Sequence, residues 1–307
     1  MKTASRNEWR KLRLQIENKK EKHSTRGGRE IRHWDQFSTL IGYFRAGLKL
    51  FGLYRRGVSN ALDIRLTHLE LSFAQLPADF DGFRILQLSD LHFDALPETT
   101  EAACKLVSDL EVDLCVLTGD YCQRVGGPFD HILPDFQDLV SRISANNGVY
   151  AVLGNHDRAD MVDAIEDMGV TVLINESSSI TRGNSEIYIT GTDDVHYYYT
   201  DASNAALEAA PSGFKIALVH SAELADVAAD NDFDLYLAGH THGGQVCLPS
   251  GRPIITHMAR FRRYASGLWR HGPMVGYTST GVGISVLPVR YFSRGEVVLL
   301  TLRSASG

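Results

Sequence analysis

Five short apolar runs in this chain each break off at residues able to bind a metal ion, and that repeated arrangement limits the fold more than any other feature. Arg84 to Ser89 leads into Asp90 and His92, Val112 to Thr118 into Gly119 and Asp120, and Val149 to Leu153 into Gly154-Asn155-His156-Asp157. Phe214 to Val219 leads into His220, and Phe233 to Ala238 into Gly239-His240-Thr241-His242. Runs of this kind, bounded by turn residues, read as buried strands. Strands that carry polar groups only at their ends line them up along one sheet edge, where open α/β folds build their sites.

Between the runs lie helical patterns near Glu98 to Leu110, Phe129 to Ser144, Arg158 to Met168 and Ser221 to Asp230. Val275 to Thr280 and Glu296 to Leu302 read as late strands. The alternation predicts an α/β fold in which stacked mixed sheets carry helices on their outer faces.

The residue types then dictate a chemistry. Asp90 and His92 are two apart at a strand end, so both side chains leave one face and can reach one ion. Asp120 has two carboxylate oxygens and can bridge cations that would otherwise repel across the ~3.5 to 4 Å of a paired-metal site. Asn155 offers a neutral oxygen, His220 and His240 complete a second set, and His242 turns back to the first. Two divalent ions against only two carboxylates leave the site net positive, which suits a phosphate ester. A lone Asp or His at a strand end is more often a turn former; it is the joint occurrence in order that points to metal. Gly119, Gly154 and Gly239 remove Cβ atoms where backbone would crowd the ions.

This order of residues resembles the calcineurin-like metallophosphoesterases, from about Leu66 to Leu302. The resemblance implies an αββα sandwich of two stacked mixed β-sheets flanked by helices. It implies a first metal on Asp90, His92, Asp120 and His242 and a second on Asp120, Asn155, His220 and His240. It also implies that His156 protonates the leaving oxygen, with Asp157 orienting it. With no thiolate in the set, Mn2+, Fe2+ or Zn2+ is expected, Mn2+ foremost. One position departs from the family: Gln123 stands where a second carboxylate is common. Tyr121 is out of register to serve as a tyrosinate ligand of the purple acid phosphatase kind.

Gly239 to Gln245, with Tyr264, Gly267 and Leu268 and the run Thr280 to Arg290, is similar to bacterial members near the UDP-2,3-diacylglucosamine pyrophosphatases. That likeness implies a lipid-linked nucleotide sugar as substrate, cut at its pyrophosphate on the way to lipid A. Arg252, Arg260, Arg262, Arg263 and Arg270 flank the expected mouth; Arg158, Arg260 and Arg263 are the candidates for holding substrate phosphate. The alternatives are other small phosphodiesters or monoesters, and a non-catalytic scaffold of the same fold, which the complete ligand set disfavours.

Charge divides the chain. Met1 to Asn60 holds 15 Lys and Arg against 5 Asp and Glu, leaving 16 against 32 for the rest. Residues 1–65 are therefore expected to form a basic N-terminal extension with an amphipathic helix, and residues 66–307 the catalytic domain. Such an acidic domain disfavours long nucleic acids, whose binding rests on phosphate neutralisation. No stretch reaches the ~18 to 20 apolar residues of a membrane span, and no secretory signal is visible. Four unpaired-looking cysteines suit a reducing cytoplasm. Across Phe37 to Arg56, Leu40, Phe44, Leu48 and Phe51 fall at helical spacing among Arg45, Lys49, Arg55 and Arg56. This helix is expected either to lie peripherally on the anionic inner face of the cytoplasmic membrane or to dock on the back of the catalytic domain. Arg10 to Arg32 is expected to be disordered or a solvated helix. Nothing in the pattern sets an oligomeric state.

Overall fold

The computed structural model describes the backbone of residues 2–18 and 38–305, and the side chains of residues 6–18, 39 and 41–305. Three helices come first: α1 (Lys2–Glu17), α2 (Ser38–Leu50) and α3 (Leu53–Leu62). Next are β1 (Arg65–Phe73), β2 (Phe83–Leu88), α4 (Pro97–Val107), β3 (Glu111–Val112) and β4 (Leu114–Leu117). Then follow α5 (Leu133–Ser141), β5 (Ser144–Ala145), β6 (Val149–Ala151), α6 (Met161–Asp167) and β7 (Val170–Val172). The second half holds β8 (Glu176–Arg182), β9 (Ser185–Gly191), α7 (Asp201–Glu208), β10 (Phe214–Leu218), α8 (Ala225–Asp230) and β11 (Leu235–Ala238). It closes with β12 (Gly267–His271), β13 (Met274–Thr278) and β14 (Glu296–Ser304).

Two six-stranded mixed sheets result, ordered β1-β14-β2-β4-β6-β7 and β12-β13-β11-β10-β9-β8. Strands β2, β4, β6 and β7 run parallel in the first, and β9, β10, β11 and β13 in the second. Parallel strands covered on both faces need apolar residues at successive positions, which is why these segments show as continuous runs. The inner faces meet through Ile85, Leu114, Val116, Ile216, Leu218, Leu235 and Leu237. On the outer face of the first sheet, Leu86, Leu117, Phe136 and Ile165 join the strands to the helices. On the second sheet's outer face, Ala217, Tyr236, Leu207 and Ala228 do the same. The architecture is the expected sandwich. Gln87 ties the two sheets directly below the ligand-bearing edge, donating from Nε2 to Ala238 O on β11 at 2.9 Å.

The N-terminal region departs from expectation in two places. The single helix over Phe37 to Arg56 is two helices, because Gly52 takes φ 69°, a left-handed value that ends α2 before α3 begins. Leu48 is buried against Leu287 and Val289, whereas Phe44 is 46% and Phe51 76% exposed. The α2–α3 segment thus docks on the domain and still presents apolar side chains to solvent. The Leu40 side chain lies outside the described residues. The start of the charge-rich stretch, expected to be solvated, belongs instead to α1: Arg13 and Ile16 are buried, and Trp9 packs on the first outer core. Residues 19–37 lie outside the described residues. All four cysteines are buried and free. Among the described residues no helix is long and apolar enough to cross a membrane.

Candidate metal centre

The loops after β2, β4 and β6 in one sheet and after β10 and β11 in the other converge, bringing all seven expected ligands together. Asp90, His92 and His242 form one group of buried donors and Asp120, His220 and His240 another, with the donor atoms of each group within 4.8 Å of one another. Asp120 Oδ2 reaches both, lying 3.8 Å from His92 Nε2 and 3.2 Å from His220 Nε2. Asn155 joins the second group, its Oδ1 2.8 Å from His240 Nδ1 and 3.2 Å from His220 Nε2.

The loops crowd closely. A Cβ on Gly239 would sit 1.8 Å from Ser89 Oγ and 2.3 Å from Asp90 Oδ2, and one on Gly154 2.2 Å from Asp120 Oδ1. Five ligands take left-handed backbone: Asp90 at φ 50°, His92 at 39°, Asp120 at 59°, His240 at 74° and His242 at 50°. Such conformations cost ~1 to 3 kcal/mol each and persist only where surroundings hold them. Here the loops hold one another, with Asp90 N–H donating to Gly119 O at 2.9 Å and His92 N–H to Asp120 O at 3.0 Å.

Backbone carbonyls set the imidazole tautomers. A carbonyl only accepts, so Nδ1 of His92 donates to Cys122 O and Nδ1 of His220 to Thr118 O, both at 2.7 Å. The Nε2 of His92 is thereby left as a lone-pair donor aimed at the centre, and that of His220 faces Asp120 Oδ2. His92 Nε2 then faces His242 Nε2 at 3.1 Å. Burial and His156 push His92 down to about 4, and burial with neighbouring His196 and His220 drives His240 well below its ordinary value. Burial and His92 do the same to His242. Unprotonated nitrogens and oxygens facing one another at these distances fit an intervening cation. Burial raises the Asp90 carboxyl to about 6, partly offset by His220. For His220, burial is outweighed by Asp120, which raises it to about 10, while Asp120 stays well below the usual range despite its burial. A cation entering the second set must displace that proton.

His156 stays out of both ligand groups. Its Nδ1 donates to Gln123 O, and its Nε2 lies 4.0 Å from Asp120 Oδ2. Asp157 does not orient this ring as expected. Its carboxylate accepts the backbone N–H of Gly154, Asp120 and Tyr121 at 2.7, 2.8 and 2.7 Å, pinning two ligand loops to each other. Tyr121 is buried with its hydroxyl donating to Val152 O at 2.8 Å, away from the centre.

Of the arginines expected to hold phosphate, Arg263 lines a cleft of about 820 Å3 with Arg252, Arg262, His196 and His257. Arg263 there donates to Tyr264 Oη at 2.8 Å. Arg260 is turned away, paired with Asp226 at 2.7 Å, and Arg158 pairs with Asp160 at 2.9 Å. Sequence reasoning missed His196, whose ring centroid is 4.2 Å from that of His240 and whose Nδ1 is 2.9 Å from Glu223 Oε2. It also missed the role of Arg290, fully buried, which donates to His242 O and to the carbonyls of Thr280, Gly281 and Gly283. An arginine closing the glycine-rich run 280–290 was the available signal.

The family described as Calcineurin-like phosphoesterase matches residues 83–244, the span that carries every ligand. This chain belongs to the calcineurin-like phosphoesterases. Together with the donor set, membership makes it a metal-dependent phosphoester hydrolase. The phosphoesterase is 29% identical over 253 residues to the uncharacterized metallophosphoesterase YkuE of Bacillus subtilis, covering 79% of this chain and 87% of that protein. It is 32% identical over 232 residues to the phosphodiesterase YaeI of Escherichia coli, covering 72% of this chain and 82% of that protein. Among solved structures, the phosphopantetheinyl hydrolase of Mycobacterium tuberculosis aligns at a TM-score of 0.42 and 13% identity, over 67% of this chain and 90% of that one.

Proposed function

We propose that this phosphoesterase hydrolyses a diester or pyrophosphate bond of a membrane-associated substrate, with UDP-2,3-diacylglucosamine, cut toward lipid A, as the leading candidate. The observation that supports phosphoester hydrolysis best is Asp120 Oδ2, within 4 Å of ligand nitrogens from both groups. Asp90, His92, Asp120, Asn155, His220, His240 and His242 would hold two divalent cations, Mn2+ foremost and Fe2+ or Zn2+ compatible, which would supply Lewis-acid activation of water and charge for the phosphate oxygens. The chain's own part is positioning and proton transfer. His156 is 16% exposed, its Nδ1 fixed on Gln123 O, so a protonated Nε2 is free to give its proton to the leaving oxygen. Arg252, Arg262 and Arg263 in the cleft offer charge for a second phosphate. Ile254 and Ile255 beside them are 59% and 44% exposed, which suits a substrate with an apolar part.

The lipid element draws on α2 and α3. Tyr43, Leu50 and Phe51 are 74%, 81% and 76% exposed, and Arg45, Lys49, Arg55 and Arg56 stand among them. A cavity of about 980 Å3 between α3 and the loop after His242, lined by Leu53, Arg56, Arg65, Gly243, Phe292 and Arg294, adjoins this face. An interfacial helix pair of this composition binds anionic bilayers through apolar burial plus charge. Within the proposed extension of residues 1–65, helices α2 and α3 are thereby proposed as the membrane-facing part.

A second reading, hydrolysis of small soluble diesters, is favoured by the name phosphodiesterase carried by the relative YaeI. Turnover of UDP-2,3-diacylglucosamine, UDP-glucose, bis(p-nitrophenyl) phosphate and p-nitrophenyl phosphate by purified protein with Mn2+ separates the two. The expected order of kcat/KM places the acylated nucleotide sugar first and the monoester last. Equal rates on the acylated and acyl-free nucleotide sugars would remove the lipid element. A fully metal-loaded protein inert on all four would point to a scaffold.

A further inference from the structure

The loop 154–159 carries Asn155, a ligand of the second group, and His156, the proton donor, and helix α1 grips it from outside. Arg13 is 1% exposed, one of two fully buried arginines among the described residues. One guanidinium nitrogen, Nη2, donates to Asp157 O at 2.9 Å and Gly154 O at 3.3 Å, while Nη1 donates to Asp193. Its Nε meets Glu17 at 3.1 Å, and the guanidinium lies 3.3 Å from the centroid of the Tyr198 ring. Glu17 Oε1 accepts the Ala159 N–H at 2.8 Å. Three backbone polar groups of the loop, at Gly154, Asp157 and Ala159, are therefore satisfied by side chains one helical turn apart on α1. Trp9 completes the attachment by donating to Asp193 Oδ2 at 2.6 Å.

The Asp157 carboxylate holds the same loop from inside, on the N–H groups of Gly154, Asp120 and Tyr121. The loop is thus clamped between two buried charged groups. One is supplied by the ligand loops themselves, the other by a helix more than 130 residues away in sequence. Arg suits this task because its fork meets two carbonyls and two carboxylates at once, more acceptors than the three donors of an ammonium can serve.

We propose that Arg13 and Glu17 are positioning residues for Asn155 and His156, and that docking of α1 and cation binding in the second ligand set strengthen each other. Linkage requires the reciprocity: if α1 raises the cation affinity, the cation raises the stability of docked α1 by the same factor. The inference rests on the two-cation centre. It uses that centre's asymmetry, since α1 holds the loop that carries Asn155 of the second set, whereas Asp90, His92 and His242 of the first lie on other loops.

The test uses the full-length protein and Mn2+. Calorimetric titration into metal-free Arg13→Met should show the first site unchanged and the second weakened about 10- to 100-fold, the usual effect of losing a residue that orients a ligand. Arg13→Lys should fall between. On bis(p-nitrophenyl) phosphate, saturating Mn2+ should restore part of the activity of Arg13→Met, with kcat lowered more than KM. Because Arg13→Met leaves Asp193 buried without its cation, the double variant Arg13→Met with Asp193→Asn guards against a protein that fails to fold. Independently of any variant, amide hydrogen exchange across residues 6–17 of the native protein should slow when Mn2+ is added. Two Mn2+ bound with no change in α1 exchange, and equal second-site affinity in the variants, would overturn the inference and leave the metal centre intact. Failure of the native protein to bind Mn2+ at all would remove the centre, and the inference with it.

Discussion

The ligand-bearing edge and the α2–α3 face invert the ordinary rule of folding in opposite directions. At the edge, carboxylates, imidazoles and an amide are buried: Asp90, His92 and His220 have no exposed surface. On α2 and α3, large apolar side chains stand in water, Leu50 at 81% and Phe51 at 76% exposed. Buried polar groups and exposed apolar patches are the informative exceptions in a globular protein. The donors of the edge suit cations among them, and the helical face is the part proposed to meet an anionic bilayer. The difference is in how each region is held. The edge carries five strained residues and interlocked loops, while the α2–α3 segment is held by the apolar cluster around Leu48 and by hydrogen bonds between α3 and residues 290 and 291.

The sharpest way to break the comparison is at Asp120. Asp120→Asn removes the charge shared by both ligand groups, so both cations should weaken together and activity fall by more than the ~10- to 100-fold typical of an orienting residue. Full metal content by elemental analysis, with turnover retained, would mean the edge does not need its cations. His156→Ala separates chemistry from loading. It should lower kcat by ~10^2- to 10^4-fold while both metals stay bound, and recovery of metal-free protein would instead place His156 among the ligands.

Smaller effects sharpen the other half. Leu48→Ala truncates the anchor of α2 against Leu287 and Val289, and chemical denaturation should show a loss of about 2 to 5 kcal/mol. A loss under 0.5 kcal/mol would mean that α2 is not docked in solution. The paired change Leu50→Glu and Phe51→Glu should move stability by only about 0.5 kcal/mol, because both side chains are already in water. It should nonetheless weaken sedimentation with phosphatidylglycerol vesicles, and binding of the native protein should itself decline as salt rises past ~0.1 M, where exposed charges are screened over ~10 Å. Unchanged vesicle binding in the variant would assign the exposed face to another partner.

Legibility in the sequence followed covering. Strands β2, β4, β6, β10 and β11 are largely apolar because both of their faces are covered, so they stood out as runs. Strand β1, whose residues alternate between exposed and buried, and the hairpin β8–β9, with its run of serines, did not. The helix over Phe37 to Arg56 was read from a period that continues through Gly52, yet a glycine in left-handed backbone ended it. Arg260 and Arg263 looked equivalent in a basic loop, and only the neighbourhood of Asp226 turned one of them away.

The sequence by itself offered the candidate ligands and their order, because each sits at the end of an apolar run, while their division into two sets was what the family resemblance implied. It did not determine the work of Asp157, which reads as a partner of its neighbour His156 and instead binds backbone from two loops. Nor did it determine Arg13, Arg290 or His196. Their roles depend on carbonyls, carboxylates and rings that come near only when distant segments pack together. A periodic pattern records which face of an element is apolar, but the identity of what meets that face is a property of the folded chain. That is why α1 and α2, both basic and both amphipathic, end differently, with Arg13 and Glu17 of one buried on the catalytic loop and Tyr43 and Leu50 of the other in water.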